Sequence, residues 1–85
     1  MSAKWQVGAE HDQAVHERLK AALKAEDFTE ADFWAGMVGS QEIAHWEYIS
    51  NEGALVVEIE TYVGLSVEGP ARMLRKLKKR FEETR

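Results

Sequence analysis

The amino-acid sequence predicts an α+β domain of the order αβββ(β)α, an antiparallel sheet of three to four strands with both helices packed on one face. Three observations carry this. Apolar residues recur at helical spacing near each end, at Val15, Leu19, Ala22 and Leu23 and again at Leu74, Leu77 and Phe81. The middle of the chain, at 41–50 and 54–63, is rich in β-branched and aromatic residues in alternation. Ser50-Asn51-Glu52-Gly53 is a turn sequence that joins these two stretches into a hairpin. At 85 residues the chain is expected to be a single small α+β domain over 1–85. A domain of this size has a modest core, and with no cysteine it has no disulfide to reinforce it.

Residues 1–9 permit a brief strand, with Trp5 and Val7 alternating against Lys4 and Gln6 and Gly8 ending it. Residues 10–27 form the first helix; Glu10 and Asp12 suit the positive end of its dipole, and its alanines favour helix. Residues 28–39 carry two signals. Thr29 followed by Asp32 resembles a helix N-cap, whereas Phe33-Trp34-Ala35-Gly36-Met37-Val38-Gly39 suits a strand, and a strand near 33–39 is preferred. Strands at 41–50 and 54–63 follow. Leu65 and Val67 then extend the second of them beyond Gly64 or start a short fourth strand. Gly69-Pro70 opens the last helix, with Pro70, Leu74, Leu77 and Phe81 as its buried stripe and Met73 at the edge.

Hairpin register decides which side chains share a face. An even loop sets Ile49 opposite Ala54 and collects Ala44, Trp46, Tyr48, Leu55, Val57 and Ile59 on the core face. A three-residue loop ending in Gly53 suits turn chemistry but buries Glu47 among Leu55, Val57 and Ile59. A buried unpaired carboxylate costs several kcal/mol, so the even loop wins. Trp46 and Leu74 are then core residues, and Phe28, Phe33 and Trp34 join them as aromatics at strand spacing.

The net charge of −4 hides a division. Up to Gly69 there are four basic and thirteen acidic residues (net −9); from Pro70 onward there are seven and two (net +5). Arg72, Arg75, Lys76 and Lys79 make a basic face on the last helix. The order of helix, three strands and basic helix resembles double-stranded RNA-binding domains in outline. In that family the basic cluster sits at the start of the last helix, where this chain has Pro70-Ala71, and the acidic body would repel a duplex. Nucleic-acid binding through this helix is therefore the alternative reading.

No catalytic, cofactor-binding or metal-ligating residue is assigned. His45 opposite a glutamate is an ordinary cross-strand pair, and a metal or acid–base site needs further ligands and a pocket. His11 and His16 are five apart and do not share a helix face. Ser40 lacks the flanking glycines of a nucleophile elbow. Gly36-Met37-Val38-Gly39 has the spacing of a KH-type loop but no lysine or arginine near it. No apolar run approaches the ~20 residues that span a bilayer, and the first residues lack the apolar core of a secretory signal. A cytoplasmic location and no membrane association are expected.

The expected function is that of a non-enzymatic protein-interaction module with no cofactor, of the small acidic inhibitor or immunity type or a self-associating domain. Its interaction face would be the side of the sheet turned away from the core, carrying Ile43, His45, Glu47, Ile49, Glu58, Glu60 and Tyr62. The partner would be another protein or a second copy of the chain.

Overall fold

The computed structural model describes residues 2–9, 12–61 and 63–83. The elements run β1 (Ser2–Gly8), α1 (Gln13–Ala25), β2 (Thr29–Val38), β3 (Gln41–Ser50), β4 (Gly53–Glu60), β5 (Gly64–Pro70) and α2 (Ala71–Glu83). The sheet is five-stranded and antiparallel, in the order β1-β5-β4-β3-β2. The α+β class is as expected. The element order is corrected to βαββββα and the strand count from three or four to five.

The two additional strands pair with each other. Trp5 and Val7 alternate inward, as the sequence allows, but β1 is a full seven-residue strand because β5 completes its ladder from Ser2↔Pro70 to Gly8↔Leu65. Trp5 meets the ring of Phe81 edge-on at 5.3 Å. Arg18 lies over the same ring at 4.2 Å and donates to the Phe81 carbonyl at 3.0 Å, so α1, α2 and β1 converge there. Gly64 starts β5 at φ +99°, and a Cβ there would collide with the carbonyl oxygen of Gly8. Glycine at 64 therefore lets β1 and β5 close.

Helix α1 is capped at both ends. Asp12 Oδ1 accepts from the Val15 amide at 3.2 Å. At the other end Phe28 N donates to Leu23 O at 2.9 Å and Asp27 N to Lys24 O at 3.1 Å, a Schellman motif with Asp27 at φ +61°. The chain leaves this cap directly into β2. The N-cap signal at Thr29 is not used, and the strand begins at Thr29 rather than near Phe33.

The β3–β4 hairpin has the even register, with Ile49↔Ala54 and Ser50↔Gly53. Trp46, Tyr48, Leu55, Val57 and Ile59 thus share a face. Gly53 also satisfies its own turn preference, at φ +145° without shifting the ladder. Buried side chains of both helices form one cluster with β4 and β5: Leu19, Ala22 and Leu23 with Met73, Leu74, Leu77 and Phe81, against Leu55, Val57, Leu65 and Val67. Met73 is fully part of this core, whereas Pro70 is exposed and closes β5. Trp46 is only partly buried, and His16 of α1 packs edge-on to its indole at 5.4 Å.

Candidate interaction surface

On the sheet face opposite the core, the ladder pairs Ile43 with Glu60, His45 with Glu58, Glu47 with Val56 and Ile49 with Ala54. The expected face residues are therefore brought together, except Tyr62, which lies outside the described residues. His45 Nδ1 is 3.0 Å from Glu58 Oε2, and its Nε2 is 3.8 Å from Glu47 Oε2. Two carboxylates share one imidazole, which ties the centre of the face into a polar strip flanked by Ile43 and Ile49. Among the described residues no group of three or more His, Cys, Asp or Glu is arranged to hold a metal.

The sequence reading expected a strand near 33–39 but placed its aromatics in the core, and so missed how bare the strand beside this face is. β2 pairs with β3 through Phe33↔Trp46, Trp34↔His45, Ala35↔Ala44, Gly36↔Ile43 and Met37↔Glu42, and among the described residues it has no strand on its other side. All ten of its residues are exposed. Phe33 and Trp34, expected in the core, are 48% and 45% exposed, and Met37 and Val38 reach 64% and 62%. With Ile49 of β3, at 49%, five of the six large exposed hydrophobic side chains among the described residues lie on this one hairpin, the sixth being Val63. Trp34 stacks flat on His45 at 5.1 Å and so extends the acidic strip to the sheet edge. Phe33 leans on Trp46 at 5.2 Å on the core-side face, beyond the reach of the helices. The signal was the pairing of aromatics with two glycines and no charge from 33 to 39. Alternation alone could not say that neither face of the strand would be covered.

The basic face of α2 is partly engaged with its own chain. Lys76 Nζ binds both oxygens of Glu52, at 3.1 and 2.9 Å, and Arg72 approaches the same carboxylate at 3.9 Å. Lys76 holds the Glu52 carboxyl below the usual carboxylate range, first by hydrogen bonding and then by its charge. Arg80 Nε binds Glu26 at 2.9 Å. Arg75 lies beside Lys4 and Lys78 in a shallow groove between β1 and α2, and Lys79 lines a cleft with Glu26 and Arg80. The basic stripe is thus split among three sites, two of which contain acids.

Burial pushes the His16 imidazole below its ordinary value, helped by Lys20, so it packs on Trp46 in its neutral form. No described helix is long and apolar enough to cross a membrane. No protein-family model, curated protein or solved structure matches the chain.

Proposed function

We propose that the chain is a non-enzymatic protein-interaction module that works through the β2–β3 hairpin and the acidic sheet face continuous with it. The supporting observation is the concentration of exposed Phe33, Trp34, Met37, Val38 and Ile49 on one hairpin next to Glu47, Glu58 and Glu60. Contiguous apolar surface rimmed by charge marks interaction sites, because a surface meant for water gains nothing from it. Both helices are read as covering the opposite face, a placement supported by their shared cluster with Leu55, Val57, Leu65 and Val67. That leaves the acidic face open to a protein partner. The basic helix supports no nucleic-acid role of comparable weight, since Lys76 and Arg80 already meet Glu52 and Glu26.

Replacing Phe33 and Met37 together with serine tests this reading. Phe33 is 48% exposed and Met37 64%, so the fold should survive. The wild type should associate, with itself or with a protein captured from its native lysate, and the double variant should not. A wild type that neither self-associates nor captures a protein, or a variant that associates equally well, removes the reading.

A further inference from the structure

We infer that the partner of β2 is β2 of a second copy, the two strands pairing antiparallel about a two-fold axis at Ala35 to make one continuous ten-stranded sheet. The inference rests on the interaction reading above and goes beyond it by naming the partner, the edge and the register.

In an antiparallel strand, alternate residues turn their N–H and C=O groups toward or away from a given neighbour. The Phe33 amide donates to Oδ1 of the adjacent Asp32 in the same strand at 2.9 Å, which turns it away from β3. Phe33, Ala35 and Met37 are by alternation the residues whose backbone groups face away from β3. They line a free edge whose side chains are also exposed, and such an edge is a template for another strand.

A second copy fits this template for three reasons. The first is length. The β2 ladder shifts between Glu30 and Asp32 and runs regularly from Asp32 to Val38, beside the β2–β3 turn. The midpoint of that regular segment is Ala35, so centring there gives the longest unbroken self-pairing.

The second is side-chain complementarity. An axis at Ala35 sets Phe33 opposite Met37 of the other copy, and the reverse, on the core-side face, a favourable aromatic–thioether contact. On the acidic face it sets Trp34 opposite Gly36, where a Cβ would meet nothing within 4 Å, leaving room for the indole. An aromatic placed across from a strand glycine covers exposed backbone.

The third is charge. In this register Asp32 faces Val38 and no acid faces an acid, whereas an axis at Asp32 would oppose two carboxylates. The basic helix is not required, which accords with its pairing to Glu52 and Glu26 within the chain.

Half-exposed Phe33 and Trp34 each offer on the order of 100 Å² to such a contact. With Met37, Val38 and the strand backbone of both copies, the total reaches the roughly 1,000 Å² of a specific interface. Pairing β2 with β1 of another copy would leave both outer edges open and build a filament, while β2 with β2 closes at two.

The test is the solution mass of the full chain by sedimentation or light scattering, across about 1 to 500 µM, the range in which an interface of this size associates. The wild type should rise toward twice the 9.7 kDa of one chain. Ala35→Lys and Ala35→Glu should each stay monomeric, because each places like charges face to face at the axis. An equal mixture of the two should recover the doubled mass. Ala35→Pro, which removes an outward N–H and spares the β3 ladder, should also be monomeric. In the wild type, exchange of the Ala35 and Met37 amides should slow as concentration rises, a readout that needs no variant.

A wild type that remains at 9.7 kDa throughout overturns the pairing and leaves the interaction reading to the capture assay. A dimer that persists in the Ala35 variants overturns the pairing and keeps the interaction reading, with the interface elsewhere. Monomeric Lys and Glu variants that fail to combine overturn the register.

Discussion

The sheet ends in two edges built on opposite terms. β1 alternates exposed and half-buried residues, aims Trp5 at Phe81, carries Lys4 on its outer side and lies under α2. β2 is longer, has ten exposed residues and presents Phe33, Trp34, Met37 and Val38 without a helix above them. Both are terminal strands of one sheet, so backbone pairing does not distinguish them. The difference is where the helices make contact. α2 rests on β1 and β5, α1 packs on α2, and α1 meets Trp46 of β3 through His16. A short, charged, helix-covered edge is protected from pairing, whereas a long apolar one invites it. Within one small fold, one edge is covered by a helix and the other is bare.

The largest expected difference between the edges lies in their tryptophans. Trp5→Ala removes the contact that holds β1 to α2 and should cost about 2–4 kcal/mol in chemical denaturation. Trp34→Ala on dilute monomer should cost less than ~1 kcal/mol, since its indole is 45% exposed. Equal losses would mean that β2 is anchored as firmly as β1, and the comparison would fail.

The glycines of the two edges sharpen the same point at smaller scale. Gly64→Ala forces a Cβ into the Gly8 carbonyl at φ +99° and should cost roughly 2–3 kcal/mol, with β1 released first in hydrogen exchange. Gly36→Ala meets open space in an extended strand and should be neutral or stabilise the monomer by a few tenths of a kcal/mol. Thermal melts of the two variants under dilute conditions provide the check.

How far the sequence reached follows the same line. The β3–β4 register was legible because one error would have buried Glu47, a penalty large enough to outweigh the turn preference of Gly53. α1 and α2 were legible from periodicity, and the acidic face followed from the register. β1 was half-legible: Trp5 and Val7 alternate, but the partner that makes them a strand lies some sixty residues away, beyond any local pattern. Phe33 and Trp34 were misassigned to the core for a related reason. Alternation shows which residues share a face but not whether anything covers it. Here coverage is set by tertiary contacts among α2, β1 and β5 that no window of sequence contains. The basic stripe showed its charge but not its partners, since Glu52 sits in a distant turn and Glu26 at the end of another helix.

His16 marks the boundary between the covered and bare halves, and pH probes it. Burial lowers its folded pKa below the ordinary histidine value of 6.5, so the unfolded chain binds the proton more readily. The neutral imidazole's contribution is fully present above pH 6.5 and is lost as pH falls through the lower folded value. Acidification should therefore lower the melting temperature and loosen the Trp46 contact, seen as a change in its fluorescence before global unfolding. His16→Gln should flatten that dependence. An equally steep decline in the variant would place the acid sensitivity elsewhere.

The smallest effect compares the two hairpin turns. The β3–β4 turn belongs to the covered half, and its Glu52 is gripped by Lys76 and approached by Arg72 of α2. The β2–β3 turn at Gly39-Ser40 is exposed. Glu52→Gln should thus lower the melting temperature slightly, while Ser40→Ala should leave it unchanged. The Glu52 contribution is electrostatic and solvent-exposed, so high salt should abolish it. Because Lys76 depresses the Glu52 pKa in the folded chain, the contribution is present above 4.5 and is lost as pH falls through the lower folded value. The wild type and Glu52→Gln melting curves should accordingly converge in acid and at high salt. Curves that stay apart under both conditions would show that Glu52 acts through packing or turn geometry, and the ion pair would no longer distinguish the two turns.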